Sequence, residues 1–269
     1  MEYGVRLTLA YDGTNFAGFQ RQPNERTVQS VLEAAVGTIA QHAVTARSAG
    51  RTDAGVHAEA QIVAFDTTRQ LSSQRWRLAI NRYLPADAAV QDVTLCDPLY
   101  HPRFDAIDKT YRYLFHLGAA REPLLRHRAW HLTRGRTRAD DQSVVLDLPA
   151  MHAACALLVG THDFRAFRAA DDVRPNAQRT LFRVDLIPNW QNRPDLLALE
   201  VQGSAFMKNM VRILAGTLIA VGRGRMTPAD VAGLLTSGSI RSKLSETAPA
   251  HGLTLVLVRL GRLRDLAAR

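Results

Sequence analysis

An α+β protein with a largely antiparallel sheet is what this sequence predicts, on three observations. Apolar residues recur with a period of two in short runs, and with a period near 3.6 in the stretches between them. The mixture then repeats in both halves of a 269-residue chain, long enough for one large domain or two modest ones with real cores. Taken in order, Val5, Leu7, Leu9 and Tyr11 alternate with Arg6, Thr8 and Ala10, the pattern of a half-buried strand. A loop of turn formers runs from Asp12 to Glu25. Thr27 then stands where a hydroxyl caps a helix with the apolar stripe Val28, Val31, Leu32, Ala35, Val36 and Ile39. His57 to Phe65 reads as a second strand. Trp76, Ala79, Ile80, Tyr83 and Leu84 mark a second helix, which Pro85 closes. Val90 to Leu95 is a short strand, and Thr110 to His116 another, with Tyr111, Tyr113 and Phe115 on one face.

The second half follows the same logic. Pro149 to Val159 predicts a helix stopping at Gly160. Leu181 to Ile187 and Leu196 to Val201 read as strands. Ser204 opens a helix whose buried side carries Phe206, Met210, Ile213, Leu214 and Val221. Thr227-Pro228 starts a further helix in cap-then-proline order, and Leu253 to Leu260 is a closing strand. The Arg-rich stretch from about Ala119 to Leu146 is the least regular and reads as an extended loop or insertion that can touch a ligand.

Composition narrows the partners. Lys and Arg total 34 against 25 Asp and Glu, a net charge of +9, which favours a polyanionic partner. Only Lys109, Lys208 and Lys243 are lysines, and so strong an arginine bias also arises from genome composition. A membrane span is not expected, since the richest apolar stretch, Ala205 to Val221, contains Lys208 and Arg212. The N-terminus lacks the basic region and apolar core of a secretion signal. Cys96 and Cys155 have no CxxC spacing and read as reduced, buried thiols of a cytoplasmic protein. The nine histidines are scattered and form no metal-ligand pattern.

One segment stands out chemically. In Ala49-Gly50-Arg51-Thr52-Asp53-Ala54-Gly55-Val56-His57-Ala58 two glycines bracket a short polar stretch just before a strand, which lets a backbone approach a substrate closely. Local pattern alone favours an ordinary turn aspartate beside an arginine. The wider pattern decides. Gly50 to His57 resembles the catalytic signature of the tRNA pseudouridine synthase A family. Tyr11-Asp12-Gly13-Thr14, Gly18-Phe19-Gln20-Arg21-Gln22 and Thr27-Val28-Gln29 are similar to its N-terminal block. His101-Pro102-Arg103-Phe104 and Lys109-Thr110-Tyr111-Arg112-Tyr113 are similar to its central block. Gly160-Thr161-His162-Asp163-Phe164, Gly203 to Gly216 with Met210-Val211-Arg212, and Ala248-Pro249-Ala250-His251-Gly252-Leu253 complete the series. Phe19 stands where the family usually has Trp, and Asp105 where it usually has a small residue.

The resemblance implies two RRM-like (ferredoxin-like) α+β halves around a continuous, mainly antiparallel sheet with helices on one face. Residues 1–105 would carry the Asp53 loop, and residues 106–269 would carry Tyr111 and Arg212. It implies isomerisation of uridine in the tRNA anticodon stem-loop, at positions 38, 39 and 40, by a homodimer. That chemistry needs no cofactor and no metal. What it needs is a carboxylate in a closed pocket, by resemblance Asp53. Arg212 matches the motif arginine that pairs with it and keeps it ionised, an effect worth about 1–3 pKa units. Tyr111 matches the aromatic platform for the extruded base, with Lys109 and Arg103 as phosphate contacts and Arg51 entering the gap the base leaves. His57 is expected to be a satisfied strand histidine, and His162-Asp163-Phe164 to be structural. Two other function classes fit the sequence less well. A non-catalytic RNA-binding module gains nothing from Asp53. A glycosidase needs two facing carboxylates, and this motif supplies one.

Overall fold

The computed structural model describes residues 2–133, 144–236 and 246–261. In chain order its elements are β1 (Tyr3–Tyr11), α1 (Val28–Ala40), β2 (Arg47–Ser48), β3 (His57–Thr67), α2 (Ser73–Tyr83), β4 (Ala88–Cys96), α3 (Pro102–Asp105), β5 (Ala106–His116), β6 (Trp130–His131), α4 (Leu148–Leu158), β7 (Gly160–Asp163), β8 (Gln178–Pro188), β9 (Leu196–Gly203), α5 (Met210–Gly222), α6 (Pro228–Leu234) and β10 (Leu253–Leu260). They fall into two compact units, residues 1–109 with 254–269, and residues 110–253.

In the first unit the strand order is β4-β1-β3-β10, with β2 on β3. The alternation read from residues 5–11 sets the register: Val5 faces Phe65 and Leu7 faces Val63 across an antiparallel pair, all four fully buried. β10 joins β3 in parallel through Thr254 and His57. Helix α1 begins as its sequence dictates, with Thr27 and Ser30 bonding each other's backbone in a capping box. Leu32, Ala35 and Val36 are its buried stripe, whereas Val31 and Ile39 are half-buried. Helix α2 seats Trp76 edge-on to Phe65 of β3, with ring centroids 5.4 Å apart. An aromatic pair of this kind adds about 0.5–1.5 kcal/mol to the burial of the rings.

In the second unit the order is β5-β9-β8-β7, with β6 parallel to β5. The β7–β8 and β8–β9 pairs are antiparallel. Helix α4 is capped by Asp147 and α6 by Thr227 in a second capping box. Pairing in both units is mostly antiparallel, and the α+β class read from the sequence holds. Within the irregular Ala119–Leu146 stretch, a single 3₁₀ turn (Pro123–Leu125) and β6 are formed, and residues 134–143 lie outside the described residues.

The helix expected from Ser204 is corrected. β9 runs on to Gly203, and α5 starts only at Met210, because Asn209 adopts the left-handed conformation (φ 59°) and breaks any helix before it. Phe206 and Lys208 are therefore not on α5. Among the described residues no helix is long and apolar enough to cross a membrane. Both cysteines are free and buried, and burial pushes their thiols up, to about 11 for Cys96 and about 12 for Cys155.

Candidate active site

The Asp53 loop joins β2 to β3, and the N-terminal block grips it almost residue by residue. Phe19 N donates to Thr52 O (3.0 Å), Gly55 N to Phe16 O (3.3 Å), and Gly13 N to His57 Nδ1 (3.0 Å). Phe16 is itself fixed, buried under the guanidinium of Arg26, which lies 4.0 Å from the ring centroid and binds Asp87 through both Nη atoms. From below, Gln61 Nε2 donates to Gly50 O (2.9 Å), and the Thr52 hydroxyl meets Tyr11 OH (2.7 Å). Gln61, Thr52 and Tyr11 are all buried, and burial pushes the Tyr11 phenol up to about 12, so it stays protonated. The loop closes in a turn, with Val56 N on Asp53 O (3.1 Å) and Gly55 at φ 78°, a conformation that disfavours any residue with a Cβ. Every one of these handholds is on the backbone, on Thr52 or on the His57 ring. Among the described residues of this unit, the half-buried Asp53 carboxylate has no hydrogen-bond or ion-pair partner, and Arg51 is exposed.

Two further sequence candidates share this unit. The Lys109 side chain crosses Gly50, its Cε 3.1 Å from where a Cβ there would stand. Burial lowers the Lys109 pKa, and the charge of Arg103 lowers it further. Arg103 is exposed on α3. The unusual Asp105 is accounted for locally: its Oδ2 accepts from Tyr100 OH (2.7 Å), and its backbone oxygen accepts from Gly261 N (2.7 Å). Phe19 is buried to 2% exposure. His57 behaves as expected, a buried ring accepting from Gly13 N with Asp12 Oδ1 at 3.1 Å.

The second unit holds Tyr111 and Arg212. Tyr111, on β5, is 7% exposed and meets Phe206 edge-to-face at 5.0 Å. Arg212 is the one residue of the thirteen in α5 that is not buried. A helix apolar all round belongs inside, and a cation on it must be held by polar partners. Its Nε donates to Ala248 O (2.7 Å) and its Nη1 to Asn209 Oδ1 (2.8 Å). The 246–253 segment can supply that carbonyl because residue 216 is glycine: a Cβ there would lie 1.9 Å from Glu246 O. The next carbonyl, Pro249 O, accepts from Tyr113 OH (2.7 Å). Near β7, Asp163 bonds Arg165 and His162 Nε2 meets Val159 O (2.9 Å), the structural use expected of that motif.

One cluster in this unit has a ligand-like arrangement, His116, Glu122 and Asp195, whose ligating atoms lie within 4.8 Å of one another. Arg193 already bonds both of its carboxylates. A groove lined by His152, Cys155, Val159, Phe182 and Leu186 contains none of the candidate residues. Sequence reasoning missed the bracing residues Tyr11, Thr52, Gln61, Asn209 and Ala248. Tyr11, Thr52, Asn209 and Ala248 stand within the motifs quoted above with no bracing role assigned to them, and Gln61 is marked as a lone amide in the apolar run Gln61-Ile62-Val63-Ala64-Phe65.

Comparison with known proteins bears on this geometry. A family model described as tRNA pseudouridine synthase matches residues 8–105 and 154–259. The tRNA pseudouridine synthase A of Chloroflexus aurantiacus is 45% identical over 258 residues, 95% of this chain and 88% of the relative. Those of Syntrophotalea carbinolica (42% over 254 residues, 94% and 95%) and Geobacter sulfurreducens (41% over 255 residues, 95% and 98%) are similar throughout. The chain belongs to the tRNA pseudouridine synthase A family. Its enzyme class is therefore isomerase. The first segment matched by the family model contains the Asp53 loop, its N-terminal grip and Arg103. The second contains Asn209, Arg212 and the 248–253 segment, while Lys109 and Tyr111 fall between the two.

Proposed function

We propose that this enzyme converts uridine to pseudouridine in the anticodon stem-loop of tRNA, at positions 38, 39 and 40, with Asp53 as the catalytic carboxylate. The N1–C1′ bond breaks, the uracil turns, and C5 bonds to C1′. The proton lost from C5 is balanced by the one gained at N1, so the product is an isomer and no redox or group-transfer partner enters. Asp53 supplies the nucleophile or base for this sequence. Arg212 is its counter-ion, and Tyr111 stacks on the extruded uracil. Extrusion costs a few kcal/mol, and about 1–3 kcal/mol of that is returned by stacking. Arg51 enters the gap left in the RNA stack, and Lys109 and Arg103 contact phosphates. The working form is a cytoplasmic homodimer without cofactor or metal, in which the basic surfaces of two copies grip one RNA.

The observation that carries this reading is the contrast on the Asp53 loop. Its backbone and Thr52 are firmly held, while the Asp53 carboxylate is left unengaged among the described residues of its own unit. A turn aspartate with a purely local job would bond its own backbone. The test is to incubate the purified protein with unmodified tRNA transcripts and map pseudouridine chemically. Product at 38, 39 or 40 is expected. Absence of product on any tRNA would overturn the proposal, and product only elsewhere would overturn the position assignment.

A further inference from the structure

We propose that Phe104 is a stacking post for an unpaired nucleobase of the tRNA, other than the uridine being isomerised. The inference rests on the reading of tRNA as the substrate.

Of the described aromatic side chains Phe104 is the most exposed, at 83%. A single apolar residue at a surface carries no meaning by itself. What marks this one is how firmly the chain around it is held. Its ring leans on His101, with centroids 4.7 Å apart. Burial lowers the His101 pKa, and the charges of Arg47 and Arg103 lower it further. The imidazole is therefore neutral at pH 7, and its Nδ1 accepts from Arg103 N (3.3 Å). Pro102 between them is buried. Upstream, Arg47 grips Asp66 through both Nη atoms (2.7 and 2.8 Å) and donates from Nε to Tyr100 O (3.0 Å). Asp66 Oδ1 in turn accepts from Leu99 N (3.1 Å). Leu99 is left-handed at φ 63°, a conformation that a leucine keeps only when its surroundings impose it. Downstream, Asp105 is tied to Tyr100 OH and Gly261 N. The segment is pinned on both sides of Phe104, and the ring is displayed to solvent without freedom to lose on binding.

Place and charge say what the ring meets. Helix α3 packs on β2 and β3, the two strands that the Asp53 loop connects. Arg103 is exposed next to Phe104, and its charge reaches Lys109, whose side chain crosses Gly50 at the start of that loop. Cations set around an aromatic face are the chemistry that holds single-stranded nucleic acid, the cations taking phosphates and the ring a base. A base inside a duplex already has its stacking neighbours, so the ring takes an unpaired one. The core of a protein interface is depleted of charge, whereas both chain neighbours of Phe104, Arg103 and Asp105, are charged.

The experiment measures equilibrium binding of an unmodified tRNA transcript over a salt series, with melting temperature and sedimentation of the free protein alongside. Phe104→Ala is expected to weaken binding by about 5- to 100-fold, the scale of one stacked base, with the melting temperature unchanged. The log–log salt slope should stay at the parental value, because stacking releases no counter-ions. Phe104→Trp should keep parental affinity. Phe104→Leu, which keeps apolar bulk without a ring face, should bind weakly, and it carries the test should the alanine variant fail to fold. Transcripts with 2-aminopurine at single positions of the anticodon loop locate the base. One position should change its fluorescence on binding the parent and not on binding Phe104→Ala. Unchanged affinity for Phe104→Ala, parental affinity for Phe104→Leu, or the absence of such a position overturns the stacking role. A change in sedimentation of Phe104→Ala assigns the ring to an interface between copies of this chain and overturns it as well. A parent protein that binds no tRNA overturns instead the reading of the substrate on which the inference rests.

Discussion

At the scale of single residues, the Asp53 loop works by division of labour. Thr52 faces inward to Tyr11, and Asp53, one residue on, is left unclaimed among the described residues of its unit. Thr52→Val keeps the shape and deletes the hydroxyl. It leaves the buried Tyr11 OH with weaker satisfaction, a loss of about 1–3 kcal/mol that a urea melt will register. Pseudouridine formation should fall with it, because Asp53 shares the loosened turn. The sequence made Asp53 legible through its bracketing glycines, and the ordered motifs around it made a turn aspartate the candidate for the catalytic carboxylate. It could not reveal Thr52, Tyr11 or Asn209 as braces. Tyr11 and Thr52 lie 41 positions apart, and no local period records such a pairing, while Asn209 bonds Arg212 only three residues on but from a left-handed backbone that spacing does not report.

At the scale of elements, the sequence was read well where a residue's own backbone decides the outcome. The caps at Thr27 and Thr227 and the span of β10 are of this kind. It misled at α5. Phe206, Met210 and Leu214 recur every four residues and so mimic a helical stripe, but spacing does not report dihedral angles, and Asn209 breaks the run. Gly216 likewise looks like an ordinary weak point in a helix until Glu246 is seen against it. Gly216→Ala must push the 246–253 segment away, at a cost of about 1–3 kcal/mol in stability. The Ala248 carbonyl moves with it, so turnover should fall further than the change in melting temperature explains.

The 169–174 loop gives the same region a dependence on pH. Asp172 is held well below the usual carboxylate range, chiefly by its ion pair with Arg174 and also by the Lys208 and Arg174 N–H groups. Its folded pKa is depressed, so the stability it contributes is fully present above the unfolded value of about 4 and drains away as pH falls below that. Asp172→Asn should therefore be less stable than the parent at pH 7, by about 1–2 kcal/mol given the half-exposed arginine. The two should converge as the pH is lowered below about 4. Denaturant melts across that range check the direction, and a gap that widens in acid would contradict it.

At the scale of the whole molecule, the excess of positive charge is the feature composition showed first, and its use is electrostatic. A protein that neutralises phosphates releases their counter-ions, so affinity for tRNA should fall linearly with salt on a log–log plot, with a slope near −0.7 to −0.9 for each phosphate contacted. Arg103→Ala should make that slope shallower by about one contact and leave turnover at saturating tRNA nearly unchanged. Charge, however, would serve a binding module as well as an enzyme. What separates them is a carboxylate that an RNA-gripping surface has no reason to keep. The most direct measurement is single-turnover pseudouridine formation by the Asp53→Asn variant, which keeps size and polarity and removes the charge. The account predicts a variant that folds, binds tRNA as tightly as the parent, and forms no detectable product. Product at the parental rate from that variant would contradict it.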